Sequence, residues 1–184
     1  QMSLLGIRNL SQLQTPPSSR MPIQTYVTEY NPHLAKEVIC RELSRGGQVF
    51  YLYNLVSTIF QKAEQIKKAI PNARVGVVHA KMDSEDIDKI MTEFYLGNID
   101  VLVCTSIVES GLDVPNANTI LIENSDKFGL SQLYQIKGRV GRSNRVAYAY
   151  LFYNKNKELT PEAEKRLKAI KEFASLGSGY KIAE

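Results

Sequence analysis

The fold is decided by the stretch from Val101 to Ile122, which reads VLVCTSIVESGLDVPNANTILI. Two runs in this stretch, Val101–Cys104 and Thr119–Ile122, are apolar almost throughout. Parallel strands that are covered on both faces have this pattern, because neither face of the sheet meets water. The polar segment between the runs carries a glycine and a proline, which is typical of a loop. The two runs therefore predict strands in the interior of a parallel sheet.

Outward from this stretch, β-branched and aromatic runs alternate with amphipathic helical patterns. The other predicted strands are Gln24–Thr28, Val49–Tyr53, Arg74–Val78 and Ala147–Phe152. The predicted helices are Pro32–Ser44, Ser57–Ala69, a segment that Asp83–Asp86 caps and Gly97 ends, Ser131–Gly138 and Pro161–Leu176. Such alternation predicts an α/β fold, a three-layer parallel sheet with helices on both faces. Ligands of such sheets bind at the carboxyl ends of the strands, so we expect functional motifs directly after strands.

The composition is that of an ordinary globular domain. The 184 residues are 43% hydrophobic and 23% charged, and 23 Lys and Arg against 19 Asp and Glu give a net charge of +4. Disordered and disulfide-scaffold classes are excluded, and the length fits one domain. No apolar run approaches the ~18–20 residues that cross a bilayer, and residues 1–13 lack a signal-peptide pattern, so we expect a cytoplasmic protein without membrane contact. The charge favours a polyanionic partner only weakly.

The two cysteines, Cys40 and Cys104, do not form a CxxC pair, and His33 and His79 are the only histidines. This set cannot supply a zinc site at the usual ligand spacing. Cys40 falls in a helical pattern and Cys104 ends an apolar strand, so we predict that both are small core residues in a reducing compartment.

The densest polar motif is QIKGRVGR, residues 135–142. Its arginines, Arg139 and Arg142, are three apart, so a helical turn would let them converge on one anion. The planar guanidinium suits phosphate because it donates two parallel hydrogen bonds and stays charged. A glycine before each arginine allows close approach of the backbone. The alternative is a solvated basic helix end, which the helix dipole favours.

Two further motifs follow predicted strands. The segment from Thr105 to Pro115 places hydroxyl groups at the end of a buried strand, where they and free backbone N–H groups can hold a nucleic-acid phosphate. Asp113, after a glycine, could accept from a sugar hydroxyl. The segment VHAKM, residues 78–82, places His79 and Lys81 at another strand end. The alternatives are an ordinary polar loop and a solvated surface turn.

Together the motifs QIKGRVGR, TSIVESGLDVP and HAKM resemble the second motor domain of superfamily 2 helicases and translocases. The resemblance implies a RecA-like (P-loop NTPase-type) helicase C-terminal domain over residues 23–176. It makes residues 1–22, with Pro16-Pro17, a linker from an upstream motor domain. Residues 177–184 would be the truncated start of a helical hairpin.

The resemblance also implies roles for single residues. Arg139 and Arg142 would be arginine fingers that complete an ATP site, and ATP and Mg²⁺ would be held mainly by the upstream domain. No GxxxxGK[ST] phosphate loop occurs in the chain, so this domain alone should not hydrolyse ATP. The remaining implied roles are nucleotide binding by Gln135, Gly111 and Asp113, contact with the DNA backbone by His79, Lys81, Thr105 and Ser106, and bracing of the loops by Asn54 and Glu109.

Within the superfamily, GLSQLY (129–134) and SNRVAYAY (143–150) are most similar to translocases that displace stalled RNA polymerase and couple transcription to excision repair. The implied partners are double-stranded DNA, the upstream RecA-like domain, and, through other domains, RNA polymerase and a damage-recognition protein. The alternatives are a replication-fork helicase domain, a non-catalytic nucleic-acid-binding module and an interaction scaffold. The chain departs from the family pattern at Ala80, Leu55 and Lys137, where glycine, arginine and arginine are usual.

Overall fold

A computed structural model of the chain describes residues 23–105, 114–128, 135, 140, 145–154, 160–176 and 181–182. Its centre is one sheet in which every strand pair is parallel. The strands lie in the order β3-β4-β2-β5-β6-β1-β7. Their bounds are β1 Ile23–Glu29, β2 Gln48–Leu52, β3 Val75–Val78, β4 Val101–Cys104, β5 Ala117–Ile122, β6 Ala147–Tyr153 and β7 Lys181–Ile182.

Four α-helices have described bounds: α1 Pro32–Ser44, α2 Ile59–Ala69, α3 Ser84–Tyr95 and α4 Pro161–Leu176. Helix α1 begins where the backbone N–H of His33 donates to the side chain of Asn31 at 2.9 Å, and Pro32 is its first residue. It ends at Ser44, and the turn that follows contains Gly46, whose φ of +81° favours glycine. Helix α3 ends in the same way before Gly97, at φ +83°. These boundaries confirm the predicted helix ends.

The sheet separates two hydrophobic cores because alternate side chains of each strand point to opposite faces. In β2, Phe50 and Leu52 belong to one core, and Val49 and Tyr51 belong to the other. Helix α3 contributes Met91 and Phe94 to the first core. The second core holds Ala35, Val38 and Ile39 of α1 together with Ile59, Ala63 and Ile66 of α2. Helices therefore cover both faces, which confirms the three-layer prediction.

Polar contacts at the amino edge of the sheet fix where the strands begin. The side chain of Gln48 donates to the carbonyls of Phe94 and Ile99 at 2.6 and 2.7 Å. The Glu42 carboxylate, 1% exposed, accepts from Arg45 and from the Thr119 hydroxyl. A Cβ on Gly47 would lie 2.7 Å from that carboxylate, so a larger residue here would displace the buried Glu42 side chain. The contacts of Gln48 and Glu42 therefore serve the structure of the amino edge.

Three details differ from the sequence predictions. Asp83 precedes α3, but its side chain makes no capping hydrogen bond. Cys104 is 2% exposed, and burial raises the pKa of its thiol to about 12, whereas Cys40 is only partly buried. Strand β7 was not predicted, because two residues carry no readable pattern. It pairs with Tyr26 and Val27 in a segment that the resemblance assigns to a helical hairpin.

Several predicted segments lie outside the described residues, among them the linker 1–22 and most of the helix 131–138. In the part of the chain that is described, no helix is long and apolar enough to cross a membrane.

The contact between Arg74 and Asp100 gives a pH-dependent prediction. The backbone N–H and Nε of Arg74 donate to Oδ2 of Asp100 at 2.8 and 3.1 Å, and Nη2 donates to Oδ1 at 3.0 Å. Partial burial alone would raise the pKa of Asp100, but the hydrogen bonds and charge of Arg74 outweigh it and lower this pKa. The contact therefore stabilises the fold fully above the unfolded-state pKa, about 3.9, and this stabilisation is lost as the pH falls through the lower folded-state pKa.

We expect the wild-type domain to melt above Asp100→Asn at neutral pH, and the difference in Tm to shrink as the pH falls below about 4. Thermal unfolding of both proteins between neutral and acidic pH measures this. A difference that is constant over the whole range would contradict the assignment.

Candidate nucleic-acid interface at the carboxyl edge of the sheet

Strands β3, β4, β2 and β5 end side by side, and the residues after them continue the ladder of hydrogen bonds. The backbone N–H of Thr105 donates to the carbonyl of Val78 at 3.3 Å, and that of Tyr53 donates to the carbonyl of Cys104 at 2.8 Å. The backbone N–H of Glu123 donates to the carbonyl of Leu52 at 3.0 Å. This brings the predicted residues His79, Thr105 and Asn54 to one edge, where ligands of such sheets bind.

His79 and Lys81 lie in a tight turn after β3. The backbone N–H of Met82 donates to the carbonyl of His79 at 3.1 Å, and the sulfur of Met82 accepts from the backbone N–H of His79 at 3.3 Å. Nδ1 of His79 accepts from the backbone N–H of Lys81 at 3.2 Å. An accepting Nδ1 carries no proton, so Nε2 carries it and can donate to a ligand. Lys81 is exposed, so the turn offers two donors suited to an anion.

Thr105 connects the end of β4 to this turn. Its hydroxyl oxygen accepts from the backbone N–H of Ala80 at 3.1 Å, and the residue is only 8% exposed. The hydroxyl can still donate one hydrogen bond to a ligand. Through this contact Thr105 positions the turn after β3. This role adds to the contact with the DNA backbone that is predicted for Thr105.

Asn54 follows β2, the strand between β4 and β5. It is half-buried, and its Oδ1 is shielded from water without a hydrogen-bond partner in the described part of the chain. A buried amide oxygen is expected to accept a hydrogen bond, and its bracing role stays a prediction.

Six of the predicted site residues lie outside the described ranges: Ser106, Glu109, Gly111, Asp113, Arg139 and Arg142. Gln135 is helical and exposed. Val140, between the two arginines, is 1% exposed and belongs to the same core as Val114 and Phe128. Within the motif Val140 therefore packs in the core, and its arginines lie outside the described ranges.

The sequence reasoning missed Phe60, which is 58% exposed near the start of α2. Its ring contacts that of His79 edge-on, with 5.7 Å between the centroids. An apolar residue in an amphipathic helical pattern is predicted to lie in the core. Only the contact of Phe60 with the turn after β3 indicates that this residue belongs to the carboxyl edge. Over the described ranges, no group of His, Cys, Asp and Glu is arranged to hold a metal ion.

The parallel sheet and its polar carboxyl edge define a class of protein. Residues 32–144 match the helicase conserved C-terminal domain, and the chain belongs to this family. The predicted RecA-like helicase C-terminal fold is thereby confirmed. The chain is 56% identical to the transcription-repair-coupling factor of Staphylococcus haemolyticus and 57% identical to that of Bacillus subtilis, over 182 residues. Each match covers 99% of this chain and 16% of the relative, so the chain spans about a sixth of those proteins.

Solved structures show the same fold. A structure of RecG bound to a three-way DNA junction is 35% identical with a TM-score of 0.72, over 84% of this chain and 21% of that chain. Domain 2 of the DEAD-box helicase Mss116p, bound to an RNA duplex, is 18% identical with a TM-score of 0.66, over 89% of this chain and 64% of that chain. The second likeness concerns the fold alone.

Proposed function

We propose that this chain is the second motor domain of an ATP-dependent double-stranded-DNA translocase that displaces stalled RNA polymerase and couples transcription to nucleotide excision repair. The observation that carries the proposal is the grouping of His79, Lys81 and Thr105 at one sheet edge, in a chain 56% identical to a transcription-repair-coupling factor. Donors that face a phosphate backbone position a protein on DNA without reading its sequence. We therefore expect binding without sequence preference.

In this proposal the domain completes an ATP site that it does not hold alone. Arg139 and Arg142 act as arginine fingers on the developing charge of the γ-phosphate, which accelerates such reactions by ~10³–10⁵-fold. Gln135, Gly111 and Asp113 contact the nucleotide. ATP and Mg²⁺ are bound mainly by the upstream RecA-like domain, since this chain has no phosphate loop. Fingers on a second domain make closure depend on ATP, and closure on DNA gives the translocation step.

The other partners belong to the whole protein. RNA polymerase and a damage-recognition protein are contacted by other domains, and the protein works in the bacterial cytoplasm. A second candidate function is that of a replication-fork helicase, favoured by the 35% identical RecG structure on a three-way DNA junction.

Two substrates separate these functions in the full-length protein. One is a polymerase stalled on duplex DNA, and the other is a DNA fork without polymerase; release of the polymerase and unwinding of the fork are measured with ATP. We expect ATP-dependent release of the polymerase to be the faster reaction. Fork unwinding without polymerase release would establish the second candidate. A non-catalytic module would do neither, and a scaffold would lack the steep loss of DNA affinity with rising salt that phosphate contacts produce.

The contact between Thr105 and Ala80 gives a prediction for DNA binding. Thr105→Val removes the hydroxyl acceptor of the Ala80 N–H, and we expect the Kd for duplex DNA to rise roughly 2- to 12-fold, equivalent to ~0.5–1.5 kcal/mol. Thr105→Ser keeps the acceptor and is the matched control. Titration of labelled duplex measures both variants in the full-length protein. Equal affinities would show that the contact does not position the turn.

A further inference from the structure

Phe60 is an exposed aromatic residue whose ring contacts a residue predicted to bind DNA. It is the second residue of α2, is 58% exposed and belongs to neither hydrophobic core. Its ring meets the imidazole of His79 edge-on, with 86° between the ring planes and 5.7 Å between the centroids. Aromatic pairs favour this T-shaped geometry and are more stable in it than their buried area alone explains. Packing in the core therefore does not account for an aromatic side chain at this position, whereas the contact with His79 does.

Buried contacts on both sides of Phe60 hold the start of α2 against the sheet. Ile59, directly before Phe60, is 0% exposed and lies in the second core. Two residues after Phe60, Nζ of Lys62 is 3.1 Å from Oε2 of Glu123, which follows β5, and each of these residues is 9% exposed. The best attested role of a buried ion pair is to specify one arrangement of the elements that it joins. The backbone that carries Phe60 is thus fixed before any DNA binds.

A hydrogen bond also holds the imidazole of His79. Its Nδ1 accepts from the backbone N–H of Lys81 at 3.2 Å, so the proton is on Nε2, which can donate to a ligand. This bond is at the long end of the usual range, so it restrains the orientation of the ring only weakly. The ring of Phe60 comes from a different element and contacts the same imidazole. Together the two contacts determine where the Nε2–H of His79 points.

The advantage of a held imidazole is that it need not be ordered when DNA binds. A partly buried side chain in a turn, such as His79, otherwise loses rotational freedom in the complex, and this loss weakens binding. A side chain that is already held in the free protein avoids that cost.

We propose that Phe60 is a positioning residue that holds the imidazole of His79 with its Nε2–H directed toward the phosphate backbone of duplex DNA. The inference rests on the proposed function, in which His79 contacts DNA. The contribution of Phe60 to affinity passes through His79, so it disappears when the imidazole is absent. An apolar contact between Phe60 and DNA would be independent of His79.

A double-mutant cycle in the full-length protein tests this dependence. The Kd for a labelled DNA duplex is measured for the parent, Phe60→Ala, His79→Ala and the double variant. We expect Phe60→Ala to raise the Kd roughly 2- to 12-fold, equivalent to the ~0.5–1.5 kcal/mol of such ring pairs. In the His79→Ala protein the same change should leave the Kd nearly unchanged, because the residue on which Phe60 acts is gone.

Conservative variants separate the ring from its apolar surface. Phe60→Tyr keeps the ring and should keep the parental Kd, whereas Phe60→Leu keeps an apolar side chain without a ring and should resemble Phe60→Ala. Tyr95→Ala is the control for loss of an exposed aromatic ring, because Tyr95 is 50% exposed and is the last residue of α3, toward the amino edge. It should leave the Kd unchanged. Thermal melts of the Phe60 variants should match the parent, since the ring is outside both cores.

An equal rise in Kd from Phe60→Ala with and without His79 would overturn the proposal, since Phe60 would then contact DNA independently. A parental Kd for Phe60→Ala beside a raised Kd for His79→Ala would overturn it as well. A parental Kd for His79→Ala would contradict the proposed function at His79 itself, and the inference would fall with it. The failure of the inference and the failure of the proposed function are therefore distinguishable.

Discussion

Replacing Arg142 by alanine in the full-length protein is expected to slow DNA-stimulated ATP turnover by about 10³-fold or more. A finger acts on charge that develops only in the transition state, so the loss falls on kcat and leaves ATP binding nearly unchanged. ATP turnover at saturating DNA and binding of a fluorescent ATP analogue measure the two quantities separately.

Arg145→Ala is the matched control, three residues further along the chain. The Arg145 guanidinium donates to the carbonyl of Arg45 at 2.8 Å, at the amino edge of the sheet and away from the proposed site. Its turnover should stay within a few-fold of the parent. Turnover of the Arg142→Ala variant in that same range would remove Arg142 from the catalytic assignment and make it a structural or DNA-binding arginine.

Phe94→Ala is expected to have the largest effect on stability. Phe94 is 0% exposed and packs edge-on against Phe50, with 5.0 Å between the ring centroids. Truncation of such a ring leaves a cavity and costs about 3–5 kcal/mol. For a domain of this size Tm falls by roughly 2–4 °C per kcal/mol, so we expect a decrease of ~6–20 °C in a thermal melt.

The adjacent Tyr95→Ala is its control, because Tyr95 is 50% exposed and is absent from both cores. Its free energy of unfolding should change by no more than about 0.5 kcal/mol. Equal losses for the two variants would mean that the apolar contacts of Phe94 do not hold α3 to the sheet.

The strands and helices could be predicted from the sequence because each has a local signal. Val101–Cys104 and the helices Pro32–Ser44 and Pro161–Leu176 have the bounds that their apolar patterns and turn residues indicate. The order of the strands could not be predicted, because it depends on pairings between distant segments. No local pattern indicates that β1 lies between β6 and β7.

In the candidate site, too, the positions that follow strands could be predicted, whereas the contacts between distant segments could not. The rule that ligands bind after parallel strands places His79, Thr105 and Asn54 at one edge, and the structure brings them there. The contact of Thr105 with Ala80 joins residues 25 positions apart and has no signature in either segment. Lys62 resembles any solvated lysine of an amphipathic helix until the fold brings Glu123, which follows β5, beside it. Ion pairs between distant segments therefore escape a reading of local patterns.

The place of β1 beside β6 has a consequence for synthesis on the ribosome. Ile23 pairs with Ala147, which the ribosome adds 124 residues later (147 − 23). At a synthesis rate of ~5–20 residues per second, β1 waits about 6–25 s before its partner is made. During that time β1 lacks its neighbour β6, and Val27, which is fully buried in the folded domain, is still exposed. The nascent chain thus carries an unpaired strand for seconds, long enough for a chaperone to bind it before the sheet closes.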